Sequence, residues 1–469
     1  MSDVGDMQIG GRIRRLRRQK RVNQADLAAA VGISASYLNL IEHNRRKVTV
    51  PLLFSLAGYF GVEPGELVDS DEGRLVGDLM EAFGDDIFAD SDLTNLEIRD
   101  LAHTNPAAAR AILKLYDRYR HVARTGPVAS DPQEPPEFHL ATDAISDFLQ
   151  ENANHFPALE DAAERVRADI DNTSDNFEYG LKTYLFNVFG LDCRLGSLPH
   201  GIARQRDPVR HQLIVSDILP QETATFLVAH QLGQMAAGSE IDAIIENAGL
   251  PEGDAPMLAR NVLSAYFAAA LIMPYAPFLK ACRDHRYDIE RIGRRFGASF
   301  EQVCHRMTTL QRKGAQGIPL HLIRTDIAGN ISKRFSLSGI HIPRHSGACP
   351  RWNVYSAFLS PERINIQISE MPDGQRYFCL ARTVAKGDYR YNAPRRYLSI
   401  GLGCSILHAR EMIYSDGIDL TSDNQVVQIG VGCRICPRME CGQRAHPPAD
   451  HRFRLDEHVR PESLYARMA

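Results

Sequence analysis

The sequence has no apolar run near the roughly 20 residues that span a bilayer; its longest, such as Tyr266 to Pro274, stop far short. The arginine-rich start lacks the apolar core of a signal peptide, and only one tryptophan occurs. From these absences no spanning segment and no secretory leader are expected, and the cytoplasm is the expected compartment. Nine cysteines cannot form an even disulfide set, and three of them crowd into Cys433 to Cys441. In a cytosolic protein that crowding favours metal over disulfide. What remains is the composition of a globular protein, 44% hydrophobic and 24% charged, and 469 residues suffice for about three domains. The net charge of −4 argues against nucleic acid, but residues 10–50 hold ten Lys or Arg and two acids. Only this end is built to meet phosphate.

That basic segment reads as a run of short helices. Ile13 and Leu16 can face inward from the first. Asn23 can cap a second through Leu27 and Ala30, Gly32 supplies a tight turn, and Ser34 caps a third to about Glu42. Leu27, Val31, Ile33, Leu38 and Ile41 offer a small core, which Leu52, Leu53, Leu56 and Phe60 cover at helical spacing. This is a helix-turn-helix. Ser34, Ser36, Tyr37 and Asn39 stand at the start of its recognition helix, while Arg15, Asn44, Arg45, Arg46 and Lys47 are placed for phosphates. The segment QADLAAAVGISASYLNLIEHNRRKVTVPLLFSLAGYFGV closely resembles the Cro/repressor family of DNA-binding domains.

Residues 69–100 carry a run of acids, Asp69, Asp71, Glu72, Asp85 and Asp86 among them, and read as a solvated spacer without chemistry. Asn105 and Pro106 then open a helix on which Ala108, Ile112, Leu115, Tyr119 and Val122 form one apolar stripe. Paired helix-turn-helix units read two half-sites, so the stripe is expected to join two copies into a homodimer on an inverted-repeat operator. A Pro-rich linker comes next at residues 124–137.

Helices near 140–153 and 157–189 lead to short strands around Cys193 and residues 212–215, an α+β pattern. In the next helix His230 and Gln234 stand one turn apart with Gln231 beside His230, the spacing of the zinc-protease motif H-E-x-x-H. Gln231 cannot act as a carboxylate base and Gln234 is a poor zinc ligand, so peptidase chemistry is not expected. AHQLGQMA followed by YFAAALIMP resembles the metallopeptidase-like domain of radiation-response regulators. That resemblance implies a glutamate ligand where Leu263 stands. A cleft that has lost its catalyst suits a ligand sensor, with Arg204, Arg210, His230, Gln234 and Tyr266 as candidate contacts.

The tail is turn-rich, and C-x2-C-x4-C at Cys433, Cys436 and Cys441 lets three thiolates converge. Cys404 is the favoured fourth ligand and Cys349 the alternative; the spacing separates zinc from an iron–sulfur cluster poorly. The blocks GIHIPRHSGACPRWNVYSAF, MPDGQRYFCLARTV, GLGCSILHA and IGVGCRICPRMECGQRAHPP resemble the C-terminal domain of short-chain fatty acyl-coenzyme A regulators. The resemblance implies an acyl-CoA effector, propionyl-CoA above others, and favours [4Fe–4S] over zinc.

The expected architecture is multidomain, mainly α and then α+β. An all-α helix-turn-helix domain occupies residues 1–68, and a helical linker and dimerisation segment residues 69–137. A degenerate zincin-like α+β sensing domain spans 138–330 and a Cys-rich α+β domain 331–469. The expected function is DNA-binding regulation of propionate and acetate metabolism, not enzymic; the alternative is a repressor-cleaving zinc metallopeptidase.

Overall fold

The computed structural model describes residues 10–20, 22–42, 46, 48–61, 71–88, 93–125, 136–173, 176–344, 348–387 and 395–447. Its contacts divide the chain into two units, one built on residues 1–122 and the other on 123–448.

The first unit is helical. Helices α1 (Gly10–Gln19), α2 (Gln24–Ala30), α3 (Ala35–Glu42) and α4 (Val50–Phe60) enclose Ile13, Leu27, Leu38, Ile41, Leu52, Leu56 and Phe60. The local signals act as read: Asn23 Oδ1 accepts from Asp26 N at 2.8 Å, and Ser34 Oγ from Tyr37 N at 3.1 Å. Gly32 takes φ +73°, a left-handed turn that glycine adopts without strain.

The acidic stretch is not a bare spacer. It contains α5 (Asp71–Phe83) and α6 (Asn95–Thr104), the latter opened by a Thr94/Glu97 capping box; both pack on α7 (Pro106–Thr125) through Leu75, Leu79, Ile98, Ala102 and Ala109. Asp85 accepts from Tyr116 at 2.7 Å and from Arg120 at 3.1 Å. The face of α7 turned inward thus runs through Ala109 and Tyr116, and Leu115 and Tyr119 are left 70% and 44% exposed.

The second unit opens with α8 (Pro136–Glu151), α9 (Pro157–Thr173) and α10 (Phe177–Phe189). After them comes a three-stranded sheet of β1 (Asp192–Gly196), β2 (Arg204–Asp207) and β3 (Gln212–Ser216) in the order β1-β3-β2. Then come α11 (Gln221–Ala236), α12 (Gly238–Asn247), α13 (Ala255–Ile272), α14 (Tyr275–Asp284), α15 (Ile289–Phe296) and α16 (Phe300–Thr308). By length and composition α13 alone among the described helices could cross a membrane, but 56% of it is buried inside the protein. Helices α11 and α13 approach so closely at Gly233 that a Cβ there would meet Phe267 Cδ1 at 2.8 Å.

A six-stranded sheet completes the unit. It is built from β4 (Leu320–Thr325), β5 (Ile331–Ser336), β6 (Asn365–Glu370), β7 (Arg376–Lys386), β8 (Arg396–Ser405) and β9 (Val426–Gln428), in the order β5-β4-β8-β7-β6-β9. Position 330 falls in the β4–β5 turn, so this sheet draws on both sides of it. One face (Leu320, Leu322, Leu380, Ile400, Leu402) merges with the helical core, and the other (Ile323, Cys379, Ala381) lies under α17 (Asn353–Ser356).

Arg306, fully buried on α16, meets Glu160 of α9 in a bidentate pair at 2.6 and 2.9 Å and also donates to the Met273 carbonyl at 3.0 Å. Burial pushes the Glu160 carboxyl up, yet Arg306 and the Tyr266 hydroxyl hold it below the usual range. Glu160→Gln strands the buried cation and is expected to cost about 3–5 kcal/mol in denaturant unfolding. Because the folded carboxyl is depressed, its stabilisation is present above the ordinary carboxylate range and is lost on acidification through it. Wild-type stability in the second unit should therefore fall toward acid more steeply than that of the variant.

Candidate functional sites

In the first unit α3 presents Ser34, Ser36 and Asn39 to solvent, with Leu40 39% exposed among them. Tyr37 is half-buried against the core, and the Arg46 guanidinium lies 6.0 Å from its ring centroid. Asn44 and Arg45 lie outside the described residues, as does the side chain of Arg15 on α1.

Residues that sequence reasoning passed over fix the pose of α3. Glu42, 3% exposed, accepts from Arg17 Nε at 2.6 Å and Nη2 at 2.9 Å, and from Gln24 Nε2 at 2.7 Å. Gln24 also reaches Asn39 Oδ1 at 3.2 Å. Burial raises the Glu42 carboxyl, but Arg17 and Gln24 more than reverse this and hold it low. One carboxylate therefore joins the end of α3 to α1 and the start of α2. The available signal was an acid buried by pattern among ten cations.

In the second unit His230 is buried and both ring nitrogens are engaged. Arg204 Nη1 donates to Nδ1 at 3.1 Å while also donating to the Leu227 carbonyl at 2.9 Å, and Nε2 donates to the Asn261 carbonyl at 3.1 Å. Burial, and then the Arg204 charge, push the imidazole toward its neutral form. A guanidinium thus lies against one ring nitrogen and a backbone carbonyl takes the other. Gln231 is buried, Gln234 half-buried, and Leu263 is in the core.

The other expected contacts do not assemble around His230. Tyr266 is 6% exposed and gives its hydroxyl to Glu160 at 2.6 Å, beside the buried ion pair. Arg210 is exposed in the β2–β3 turn, 3.9 Å from Asp207. A cleft of about 700 Å³ opens at the other end of α11, between the first turns of α10, α11 and α16 and the length of α15. Phe177, Phe296 and Phe300 line it with Arg294 and Arg382, the latter 4.9 Å from the Phe300 ring and paired to Glu290 at 2.8 Å.

Cys436 and Cys349 both approach the chain at Gly430 and Val431. Cys349 N donates to Val431 O at 2.9 Å, Trp352 Nε1 to Gly430 O at 2.9 Å, and a Cβ on Gly430 would lie 2.8 Å from Cys436 Sγ. Burial pushes the Cys349 thiol up, and Cys433 and Cys436 are close enough to add to the rise. Cys404 is elsewhere, fully buried on β8 with Met412 Sδ at 3.8 Å, so the cysteine that faces the tail is Cys349. A strand register that turns Cys404 into the apolar core is the reason. Among the described residues no three His, Cys, Asp or Glu side chains already stand as a metal-ligating group.

Family models match three successive parts of the chain. A helix-turn-helix model matches residues 13–67, an IrrE N-terminal-like domain residues 193–308, and the C-terminal domain of the short-chain fatty acyl coenzyme A regulators residues 309–465. The HTH-type transcriptional regulator RamB of Mycobacterium tuberculosis is 35% identical over 97% of this chain and 98% of its own. The propionyl-CoA carboxylase regulator of Cereibacter sphaeroides is 36% identical over 95% of this chain and 96% of its own. The chain belongs to the short-chain fatty acyl coenzyme A regulator family. A solved Mycobacterium tuberculosis transcriptional regulator covers 70% of this regulator and 99% of its own chain, at 37% identity and a TM-score of 0.66. The full-length relatives are transcriptional regulators, not named enzymes.

Both His230 nitrogens are hydrogen-bonded within this chain. Expected is no zinc-dependent proteolysis by the purified regulator and an unchanged zinc content in His230→Ala; zinc lost in that variant would overturn the assignment.

Proposed function

We propose that this regulator binds operator DNA as a homodimer in the cytoplasm and adjusts short-chain acyl-CoA metabolism in response to an acyl-CoA, propionyl-CoA being the first to test. The observation that carries the reading is its alignment over 95% of its length with a propionyl-CoA carboxylase regulator, helix-turn-helix included. In this reading α3 enters the major groove of each half-site, Ser36 and Asn39 address base edges, and Arg15, Asn44, Arg45 and Arg46 hold phosphates. The exposed Leu115 and Tyr119 on α7 suit the contact between copies.

The second unit would sense the effector through a degenerate zincin-like domain. The cleft of about 700 Å³ has the size of a small-molecule site and rings for the acyl chain, and Arg294 and Arg382 would meet phosphate there against Glu178, Glu222 and Glu290, the last paired to Arg382. Arg204 at His230 is the competing seat on the peptidase-like face. Differential affinity for two states of the dimer is what would transmit binding to DNA. Four thiols, Cys433, Cys436, Cys441 and Cys349, have the donor chemistry that an iron–sulfur cluster or zinc takes, and drawing them together around such a group would supply a redox- or metal-sensitive brace for the tail.

Calorimetry of the purified regulator with an acyl-CoA panel, then operator binding with and without the tightest ligand, tests the function. No acyl-CoA binding, or binding without effect on operator affinity, would refute it. Arg382→Ala is expected to weaken acyl-CoA binding about tenfold or more, in keeping with the loss of a charge-assisted hydrogen bond, and Arg204→Ala to leave it unchanged. The opposite pattern moves the effector to the peptidase-like face.

On DNA, Asn39→Ala should cost on the order of 1–3 kcal/mol at the operator and little on random sequence. Arg46→Ala should weaken both and flatten the salt dependence. Equal effects of the two variants on every sequence would refute the α3 assignment.

A further inference from the structure

We infer that Arg444 is the positioning residue that folds the three tail cysteines into a cradle and balances the negative charge of the group they hold. The inference rests on the proposed thiolate site. Arg444 is 4% exposed, and its guanidinium donates to three carbonyls of the loop: Cys433 O at 2.5 Å, Cys436 O at 2.7 Å and Arg438 O at 2.9 Å. Its own backbone N donates to Cys441 O at 3.1 Å. One residue therefore touches the backbone of every tail cysteine.

Drawing carbonyls onto a central guanidinium winds the loop around that cation, and the next amide, Ala445 N, donates to Cys433 Sγ at 3.3 Å. Arg438 secures the outer side of the same loop, donating to Ile429 O at 3.3 Å and to Glu370 O at 3.2 Å. Cys349 closes the cradle through the backbone clip to Val431.

Charge points to the same residue independently. A metal or cluster held by four thiolates carries net negative charge, and burying it requires a nearby cation or hydrogen-bond donors. Arg444 is a buried cation within the cysteine loop itself. Lysine would keep the charge but could not serve three carbonyls with one planar fork.

The test uses full-length protein purified anaerobically, with iron, acid-labile sulfide and zinc measured, chelator competition for metal affinity, and a redox titration where iron is present. Circular dichroism accompanies each variant. Arg444→Gln is expected to weaken metal retention about 10–100-fold, and any residual cluster should titrate at a more negative potential. Arg444→Lys should restore the potential toward wild type while retention stays low, a split that loss of folding would not produce. Wild-type retention and potential in Arg444→Gln overturn the inference and leave the thiolate site standing. A wild-type protein without iron or zinc overturns the thiolate site, and the inference with it. If the metal is zinc, chelator competition alone decides, with unchanged retention in both variants counting against Arg444.

Discussion

A guanidinium with no access to water sets the terms for the larger unit. Arg306 can stay buried only while Glu160, the Met273 carbonyl and Thr309 satisfy it, so α9, the end of α13 and α16 must hold their relative places. Tyr266 completes the arrangement from the middle of α13, and the Phe156 backbone N donates to its hydroxyl at 3.2 Å. The apolar packing around the pair would tolerate small shifts; the hydrogen bonds do not. A pair of this kind contributes less to net stability than to fixing one arrangement among several of similar packing energy.

On the helices held in this way, the IrrE-like part of the chain carries a His230 that is hydrogen-bonded on both sides. The helix that would offer His230 to a metal is intact, down to the close crossing at Gly233 that brings α11 onto α13. A strand residue, Arg204, now supplies the positive charge, and the Asn261 carbonyl takes the second nitrogen. The helix-turn-helix uses a similar device in miniature: Glu42 accepts from α1 and α2 together, so a single carboxylate orients the helix that carries Asn39.

What the sequence made legible was local. Caps at Asn23, Ser34 and Asn105 act within three residues of themselves, and the core of α1 to α4 obeys the apolar spacing. Helix α5 was hidden because its acids belong to a longer acidic run, although Leu75 and Leu79 already stand one turn apart. Distant partnerships left no pattern. Tyr266 and Glu160 are 106 positions apart, and nothing in a helix marks a tyrosine whose partner lies on another helix. Cys404 and Cys349 each sit near glycines, and only the register of β8 turns the first inward. Spacing identifies thiols within one loop but not the one that arrives from a separate segment.

Strand β9, at the edge of the six-stranded sheet, ties the cysteine loop to the rest of the second unit. It is three residues long, pairs in parallel with β6 through Ile368–Val426, Ser369–Val427 and Glu370–Gln428, and runs directly into Ile429 and Gly430 beneath the cysteine loop. So short a ladder is the weakest in the sheet, and its closure depends on the loop just C-terminal to it. The loop and the edge strand are therefore expected to open together: when the cysteines lose their arrangement, the amides that face β6, Ile429 N on Glu370 O among them, should open to solvent exchange while the inner strands stay protected. The state of the tail is in this way written into the backbone of the sheet, where hydrogen exchange can read it without any probe on the cysteines themselves.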